Sequence, residues 1–398
     1  MAHAKLKPIL GSDRVIPPCL VADRCGGCQI QDWRYGAQLT QKTQQLRQIL
    51  KDALKLTAPP VRDIMGMQDP WGFRYKAQLP LGVRRGQVQM GFFESGTHHI
   101  VDTHRCLVQP EKVDKTLGLV RQFLETQQIL IYDEKRHCGL ARHVLVRMGQ
   151  ASGEILVCLV INGSHLPAAE HLVALLRTEP RVRGVLLNIN TRPGTAILGS
   201  VIKTLWGASH IEDQMDGLRF RISAKSFFQV NPLQGRVLYR QALELAAPRA
   251  QDVVWDLYCG TGTLALYFAR CVRYVQGLDN VSEAIADAKQ NARLNKISNV
   301  SFQAGKAEQL LPRWRHEMKQ TPDIVILDPP RKGCTELVLR ELLTLRPMTV
   351  IYVSCDPVTL ARDLAILCRE TYHLETVQPV DMFPHTAHIE CVALLKRV

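Results

Sequence analysis

The spacing of apolar positions changes character twice along the chain. In "YGAQLTQKTQQLRQILKDALKL", Leu39, Leu46, Ile49, Leu50 and Leu54 fall near one face of a 3.6-residue period, which predicts a helix stopped by Pro59-Pro60. From about 61 to 215 the pattern is strand-rich. Hairpins are predicted around Arg84-Arg85-Gly86, Ser152-Gly153 and Pro193-Gly194, with a helix in "SHLPAAEHLVALLRTE". That stretch reads as an α+β unit with antiparallel strands. From about 216 strands and helices alternate: "VVWDLYC", a helix from Leu264, "YVQGLD", a helix from Ser282, "VSFQAG", "DIVILDPP", a helix from Thr335, "TVIYVSC", a helix from Thr359, and a final "ECVALLKRV". Alternation of this kind builds a mostly parallel, doubly wound α/β sheet, whose ligands bind outside the carboxyl ends of the strands. The expected organisation is therefore residues 1–60, 61–215 and 216–398, with no internal repeat.

Composition narrows the class. A chain of 398 residues that is 46% hydrophobic has material for two or three cores. No apolar run reaches the roughly 18 residues of a membrane span. The opening "MAHAKLKPILGSDRVIPP" has no secretion-signal pattern, so a cytoplasmic protein with no membrane partner is expected. Lys and Arg number 50 against 37 acids, a net charge of +13. The excess is clustered, as at Arg84-Arg85, Lys135-Arg136-His137, Arg142-His143 and Arg331-Lys332, and clustered base points to a polyanion such as nucleic acid.

Twelve cysteines without a secretion signal do not form a disulfide framework. Cys19, Cys25 and Cys28 make a tight trio that suits an iron–sulfur cluster or structural zinc, and spacing alone does not separate the two. Cys355 differs. It follows the β-branched run "VIYVS", at the carboxyl end of a predicted sheet strand, where a nucleophile belongs and core filler does not.

"VVWDLYCGTGTLAL" places Gly260, Gly262 and Ala265 at the spacing of a nucleotide-binding turn, and Asp279 ends the next strand, where an acid can accept ribose hydroxyls. A nicotinamide dinucleotide fits that loop. Asp256 within it, and Asp328-Pro329-Pro330 at a later strand end, suit S-adenosylmethionine better, because that cofactor carries amine and sulfonium charge and no pyrophosphate.

In this order, "SFFQVNP", "DLYCGTGT", "LDPPRKG", "YVSCDPVTLARD" and "DMFPHTAHIE" resemble the RNA (uracil-5)-methyltransferases, and "CGGCQ" resembles their iron–sulfur branch, which modifies 23S ribosomal RNA. The resemblance implies a Rossmann-like S-adenosylmethionine-dependent methyltransferase domain, a smaller α+β central domain that binds RNA, and an N-terminal Cys-cluster segment. It implies Cys355 as the nucleophile that adds to carbon 6 of uracil and Glu390 as the base that removes the carbon-5 proton. Gln229, Tyr258, Thr263, Asp279 and Asp328 are implied as cofactor contacts. Cys19, Cys25, Cys28 and Cys106 are implied as ligands of a [4Fe–4S] cluster. Asp279 stands where the family more often has Glu, and Thr263 substitutes for Asn.

Larger relatives begin with an RNA-binding β-barrel. Only 18 residues precede Cys19, so a short form lacking the barrel and acting as a monomer on 23S rRNA is expected. A transfer-RNA enzyme of the same chemistry is the alternative, although the transfer-RNA branch lacks the Cys trio; a nicotinamide-dependent oxidoreductase is more remote. Three further expectations follow. The Cys355 thiol should ionise below the roughly 8.5 of free cysteine, helped by the helix near Thr359. Phe227, Phe228 or Phe383 could stack on bases. His385-x2-His388-x-Glu390 should shape the loop carrying Glu390 rather than hold a metal.

Overall fold

The computed structural model describes residues 11–317 and 321–398; residues 1–10, within the stretch read for a secretion signal, lie outside the described residues. The first helix, α1 (Tyr35–Leu54), buries Gln38, Lys42, Thr43, Leu46 and Leu50. Its inward face is thus rotated from the expected leucine stripe: Leu39, Ile49 and Leu54 are only partly covered. Gln38 and Lys42 turn inward because their partners, His385 and Asp381, come from the far end of the chain. The Lys42 ammonium lies 2.5 Å from Asp381, with both side chains fully buried, and also donates to the Phe383 carbonyl at 3.1 Å. The Tyr35 hydroxyl donates to the other Asp381 oxygen at 2.8 Å.

The central unit runs β1 (Lys76–Arg84), β2 (Gln87–Phe93), β3 (Ile100–Asp102), α2 (Glu111–Thr126), β4 (Ala141–Met148), β5 (Ile155–Ile161), α3 (Ala169–Leu176), β6 (Val182–Ile189) and β7 (Val201–Gly207). Its seven strands lie in the order β3-β2-β1-β4-β5-β6-β7. The hairpin turns at Arg85-Gly86 and Ser152-Gly153 occur as expected, with φ of 53° at Arg85 and 80° at Gly86. Two expectations are corrected. β5 and β6 are parallel, because the chain crosses over through α3 between them. Pro193-Gly194 does not make a tight turn; it lies in the long connection 190–200, held by the Asn188 and Asn190 amides donating to the carbonyls of Gly199 and Ala196. Helix α2 was not foreseen; it packs with α3 over one face of this sheet. The other face, through Leu145, Leu156 and Leu186, shares a core with Phe220, Phe228 and Leu238 further along the chain.

A two-stranded ribbon, β8 (His210–Met215) and β9 (Leu218–Ser223), leads into the second large unit. This comprises α4 (Pro232–Ala246), β10 (Val253–Leu257), α5 (Thr263–Ala269), β11 (Tyr274–Asp279), α6 (Ser282–Leu294), β12 (Val300–Ala304), α7 (Ala307–Glu317), β13 (Ile324–Leu327), α8 (Glu336–Leu345), β14 (Thr349–Ser354), α9 (Pro357–Leu367), β15 (Tyr372–Val380) and β16 (Glu390–Arg397). The strand order is β12-β11-β10-β13-β14-β16-β15. β10 to β14 are mutually parallel, and β16 runs antiparallel to both β14 and β15. The chain moves outward from β10 in one direction and then resumes on its other side at β13, which opens a crevice at the carboxyl edge. β15 was not anticipated. Apolar cores cover both faces of the sheet, and α1 packs beside α9 on one of them. No helix among the described residues is long and apolar enough to cross a membrane.

The Lys42–Asp381 pair yields a prediction. Removing one partner of a buried pair strands the other charge, at a cost of about 3–5 kcal/mol. Lys42→Met is expected to lose stability of that order in urea unfolding, and the double change Lys42→Met/Asp381→Asn to recover most of it. Equal losses in both variants would show that packing, not charge, governs the contact.

Candidate functional site

Cys355 and Glu390 meet because of strand register. β14 pairs with β16 so that Ser354 faces Cys391. The next residue outward on one strand is Cys355 and on the other Glu390, both at the carboxyl edge of the parallel strands. Glu390 is 6% exposed, while Cys355 is partly open. The Ser354 hydroxyl fixes the turn by accepting the Asp356 N–H at 3.2 Å and donating to the Asp356 carbonyl at 3.0 Å.

The thiol departs from expectation. Burial, then Glu390 and Asp328, push Cys355 up to about 11, with Arg331 opposing. The following helix gives no relief. Asp356 is the N-cap of α9, and its carboxylate takes the amides of Val358 and Thr359 at 3.0 and 3.1 Å, so the positive end of the helix is already answered by an acid.

Acids crowd this edge. Burial, then Asp328, push Glu390 up to about 8, again with Arg331 opposing. Burial and Asp279 raise Asp328 to about 7. Asp256, fully buried, is raised well above the ordinary carboxylate range by burial and then by Asp328. The charged groups acting on Asp328 and Asp256 are other acids. Buried carboxylates without a countercharge are costly, and the arrangement suits a cationic ligand.

The glycine loop borders the same crevice. Gly262 begins α5 with φ of +82°, and a Cβ there would lie 3.0 Å from that of Ala288, so both backbone and packing require glycine. Tyr258 adopts φ of +70°, rare for a non-glycine residue. Asp279 accepts the Gly260 N–H at 2.9 Å and the Val281 N–H at 2.8 Å, tying the loop to the β11 terminus. That anchoring role was not read from the sequence. Thr261 donates to the Phe227 carbonyl at 3.2 Å and lies 3.5 Å from the Thr263 hydroxyl. Gln229 is buried against Tyr239, just before Asn231 and Pro232, which cap and open α4. Of the three candidate aromatics, Phe228 is buried, Phe383 is partly buried against the core, and Phe227 is 63% exposed.

Residues after Cys355 hold the Asp328 loop. Asp363, fully buried, accepts the Tyr352 hydroxyl at 2.6 Å and the Cys334 N–H at 2.8 Å. Arg362 donates to the carbonyls of Lys332 and Cys334, and Thr359 to that of Arg331. "TLARD" is therefore a clamp on "DPPRKGC"; its hydrophobic spacing signalled only a helix.

Cys19, Cys25, Cys28 and Cys106 line a single pocket together with Arg74 and Gln31. No group of three His, Cys, Asp or Glu among the described residues converges on a point where one metal ion could sit. Burial raises Cys28 to about 11 and Cys106 to about 12. This segment is bound to the loop that carries Glu390: the N–H groups of Gln29 and Ile30 both donate to the His385 carbonyl. The Gln38 amide accepts the His385 N–H at 2.9 Å and lies 3.2 Å from its Nδ1. The other ring nitrogen faces the Pro70 carbonyl at 3.1 Å, and Trp71 stacks on the ring at 3.9 Å. Both nitrogens of His385 are thus engaged by protein atoms, leaving neither for a metal.

Residues 207–398 match the family model described as tRNA (Uracil-5-)-methyltransferase. An uncharacterized RNA methyltransferase of Halalkalibacterium halodurans is 44% identical over 385 residues, 96% of this chain and 84% of that protein. One from Listeria innocua is 41% identical over 387 residues, covering 97% and 85%. Among solved structures, the Pyrococcus abyssi tRNA (uracil-54, C5)-methyltransferase in complex with S-adenosyl-L-homocysteine is similar over 93% of this chain and 86% of that one, with a TM-score of 0.76 and 27% identity. With a relative this similar along nearly its whole length, and the uracil-5 model matching the half that bears Cys355 and Glu390, the chain belongs to the RNA uracil-5-methyltransferase family.

Proposed function

We propose that the protein is a cytoplasmic, monomeric enzyme that methylates carbon 5 of a uridine in 23S rRNA, using S-adenosylmethionine and a covalent Cys355 adduct. The observation that carries this reading is the register that sets Cys355 beside Glu390 at the edge of an acid-lined crevice. Gln229, Tyr258, Thr263, Asp279 and Asp328 hold the cofactor, which supplies an electrophilic methyl group on a sulfonium. The Cys355 sulfur bonds to carbon 6 of uracil, and carbon 5 becomes the nucleophile that takes the methyl. Glu390 then removes the carbon-5 proton, the double bond re-forms, and the carbon–sulfur bond breaks to free the thiolate. A uracil reaches the thiol only when unstacked, and Phe227, exposed beside the cofactor loop, is placed to stack on it. Asp328 raises Cys355 and Glu390 alike, so a cationic cofactor held against it would favour ionisation of both.

The cysteine site suits a [4Fe–4S] cluster. Four thiols share one pocket and have Arg74 as a neighbouring positive charge acting on Cys28 and Cys106. Methyl transfer consumes no electrons, so the role assigned to the cluster is structural: it holds the segment whose amides grip the His385 loop. A tRNA substrate is the second reading, favoured by the name of the matching family model. A nicotinamide cofactor has no support from the family.

Three outcomes are expected. With 5-fluorouridine-substituted 23S rRNA and S-adenosylmethionine, the wild type forms a covalent protein–RNA band, because fluorine at carbon 5 cannot leave as a proton. Cys355→Ala forms none, whereas Glu390→Gln accumulates methylated adduct on unsubstituted RNA. A band with tRNA alone would move the substrate; a band from Cys355→Ala would overturn the nucleophile.

Asp328 and Glu390 bind protons more tightly when folded, so stability of the ligand-free protein declines as pH rises from the ordinary carboxylate range through about 7 and 8. Asp328→Asn is expected to raise the melting temperature at pH 8 while abolishing S-adenosylhomocysteine binding in calorimetry; a lower melting temperature would refute the crowding.

Cys25→Ser, purified anaerobically, is expected to lose brown colour and iron, and to expose residues 381–389 to hydrogen exchange. Unchanged protection there would separate the cysteines from the Glu390 loop.

A further inference from the structure

Two cations, Lys76 and Arg147, stand in a row across the face of the central sheet turned toward the catalytic unit, and the chemistry above uses neither. Lys76 on β1 and Arg147 on β4 are direct cross-strand partners. Like charges placed opposite each other across a ladder are unfavourable. Arg74 lies two residues before Lys76 and adds to the repulsion. Burial, then Arg147, then Arg74 push Lys76 down to about 7, and among the described residues no acid acts on it in return. Arg147 is 4% exposed. It donates to the Ser226 carbonyl, its Nε has no hydrogen-bond partner, and Asp287 is the one charge that offsets it.

The row leads toward the site. Arg147 holds the carbonyl of Ser226, the residue before exposed Phe227. The Tyr75 N–H donates to the Val230 carbonyl at 2.7 Å, immediately after Gln229. A lysine kept half-buried beside arginines, with no acid acting on it among the described residues, suits an anion. The anion that accompanies a uridine entering beside Phe227 is its own backbone phosphate.

We propose that Lys76, beside Arg147, binds a backbone phosphate of the RNA strand next to the target uridine. The inference rests on RNA being the substrate and holds for ribosomal or transfer RNA alike. One phosphate contact accounts for a slope of about 0.7–0.9 in the logarithm of affinity against the logarithm of salt.

The test compares wild-type, Lys76→Met and Lys76→Arg full-length proteins. Affinity for 23S rRNA and for tRNA is measured across a salt series, together with melting temperature without RNA and affinity for S-adenosylhomocysteine. Lys76→Met is expected to bind the methylated RNA several-fold more weakly, with a salt slope shallower by roughly one contact. It should also melt at a higher temperature, because an unanswered charge has been removed. Lys76→Arg should keep the wild-type slope, and cofactor affinity should be the same in all three.

An unchanged salt slope in Lys76→Met, or a lower melting temperature, would overturn the proposal: the first shows no phosphate contact and the second a structural partner for the ammonium. Weakened S-adenosylhomocysteine binding would overturn it too, by assigning Lys76 to the cofactor carboxylate. Wild-type protein that methylates neither RNA would instead refute the proposed function, while the salt slope would still decide the phosphate contact.

Discussion

The buried contact between Lys42 and Asp381 is the constraint on which the site depends. A fully desolvated ammonium is tolerated only with a partner, so α1 has one place to dock, and that place is the start of the loop leading to Glu390. The surrounding bonds extend the grip residue by residue. Tyr35 and Gln234 hold Asp381, Asn231 holds the Met382 carbonyl, Lys42 that of Phe383, and Gln38 with the Gln29 and Ile30 amides holds His385. His385 sits at φ of +64°, a conformation a histidine keeps only when its surroundings impose it. The position of Glu390 is therefore determined by residues at both ends of the chain.

Electrostatics sets the second constraint. A nucleophilic thiol is usually pictured beside a base or a helix N-terminus that ionises it in advance. Here the neighbours Glu390 and Asp328 do the reverse, and Asp356 caps the helix that would otherwise help. A resting thiol held in its neutral form resists oxidation and stray alkylation, since the thiolate is the reactive species. Asp328 belongs to both sides of this balance: it contributes to the rise of Cys355, Glu390 and Asp256, and it lies at the end of β13 beside the glycine loop.

The alternation of strands and helices after residue 216 was legible because parallel strands buried on both faces read as apolar runs. The turn glycines, the Asn231-Pro232 helix start and the strand-end placement of Cys355 follow from local chemistry that a sequence displays. What was hidden depends on distance. Gln38 and Lys42 look like solvent-facing positions until Asp381 and His385 arrive; the buried face of α1 could not be read from α1 alone. β15 was missed because "YHLETVQPV" mixes polar and apolar residues at a sheet edge, where the N-terminal segment, through Val61 and Met65, supplies the covering partners. The high pKa of Cys355 was invisible for the same reason, since Glu390 is its neighbour in register and not in sequence.

The separation of Lys42 from Asp381, 339 positions, orders events on the ribosome. At about 5–20 residues per second, the helix waits roughly 17–70 s for the segment that will cover it. During that interval its lysine is hydrated and the cysteine trio just upstream is open to the solution. Docking of residues 381–385 then closes the chain upon itself, and anchoring of the cysteine segment and final placement of Glu390 become a single terminal step.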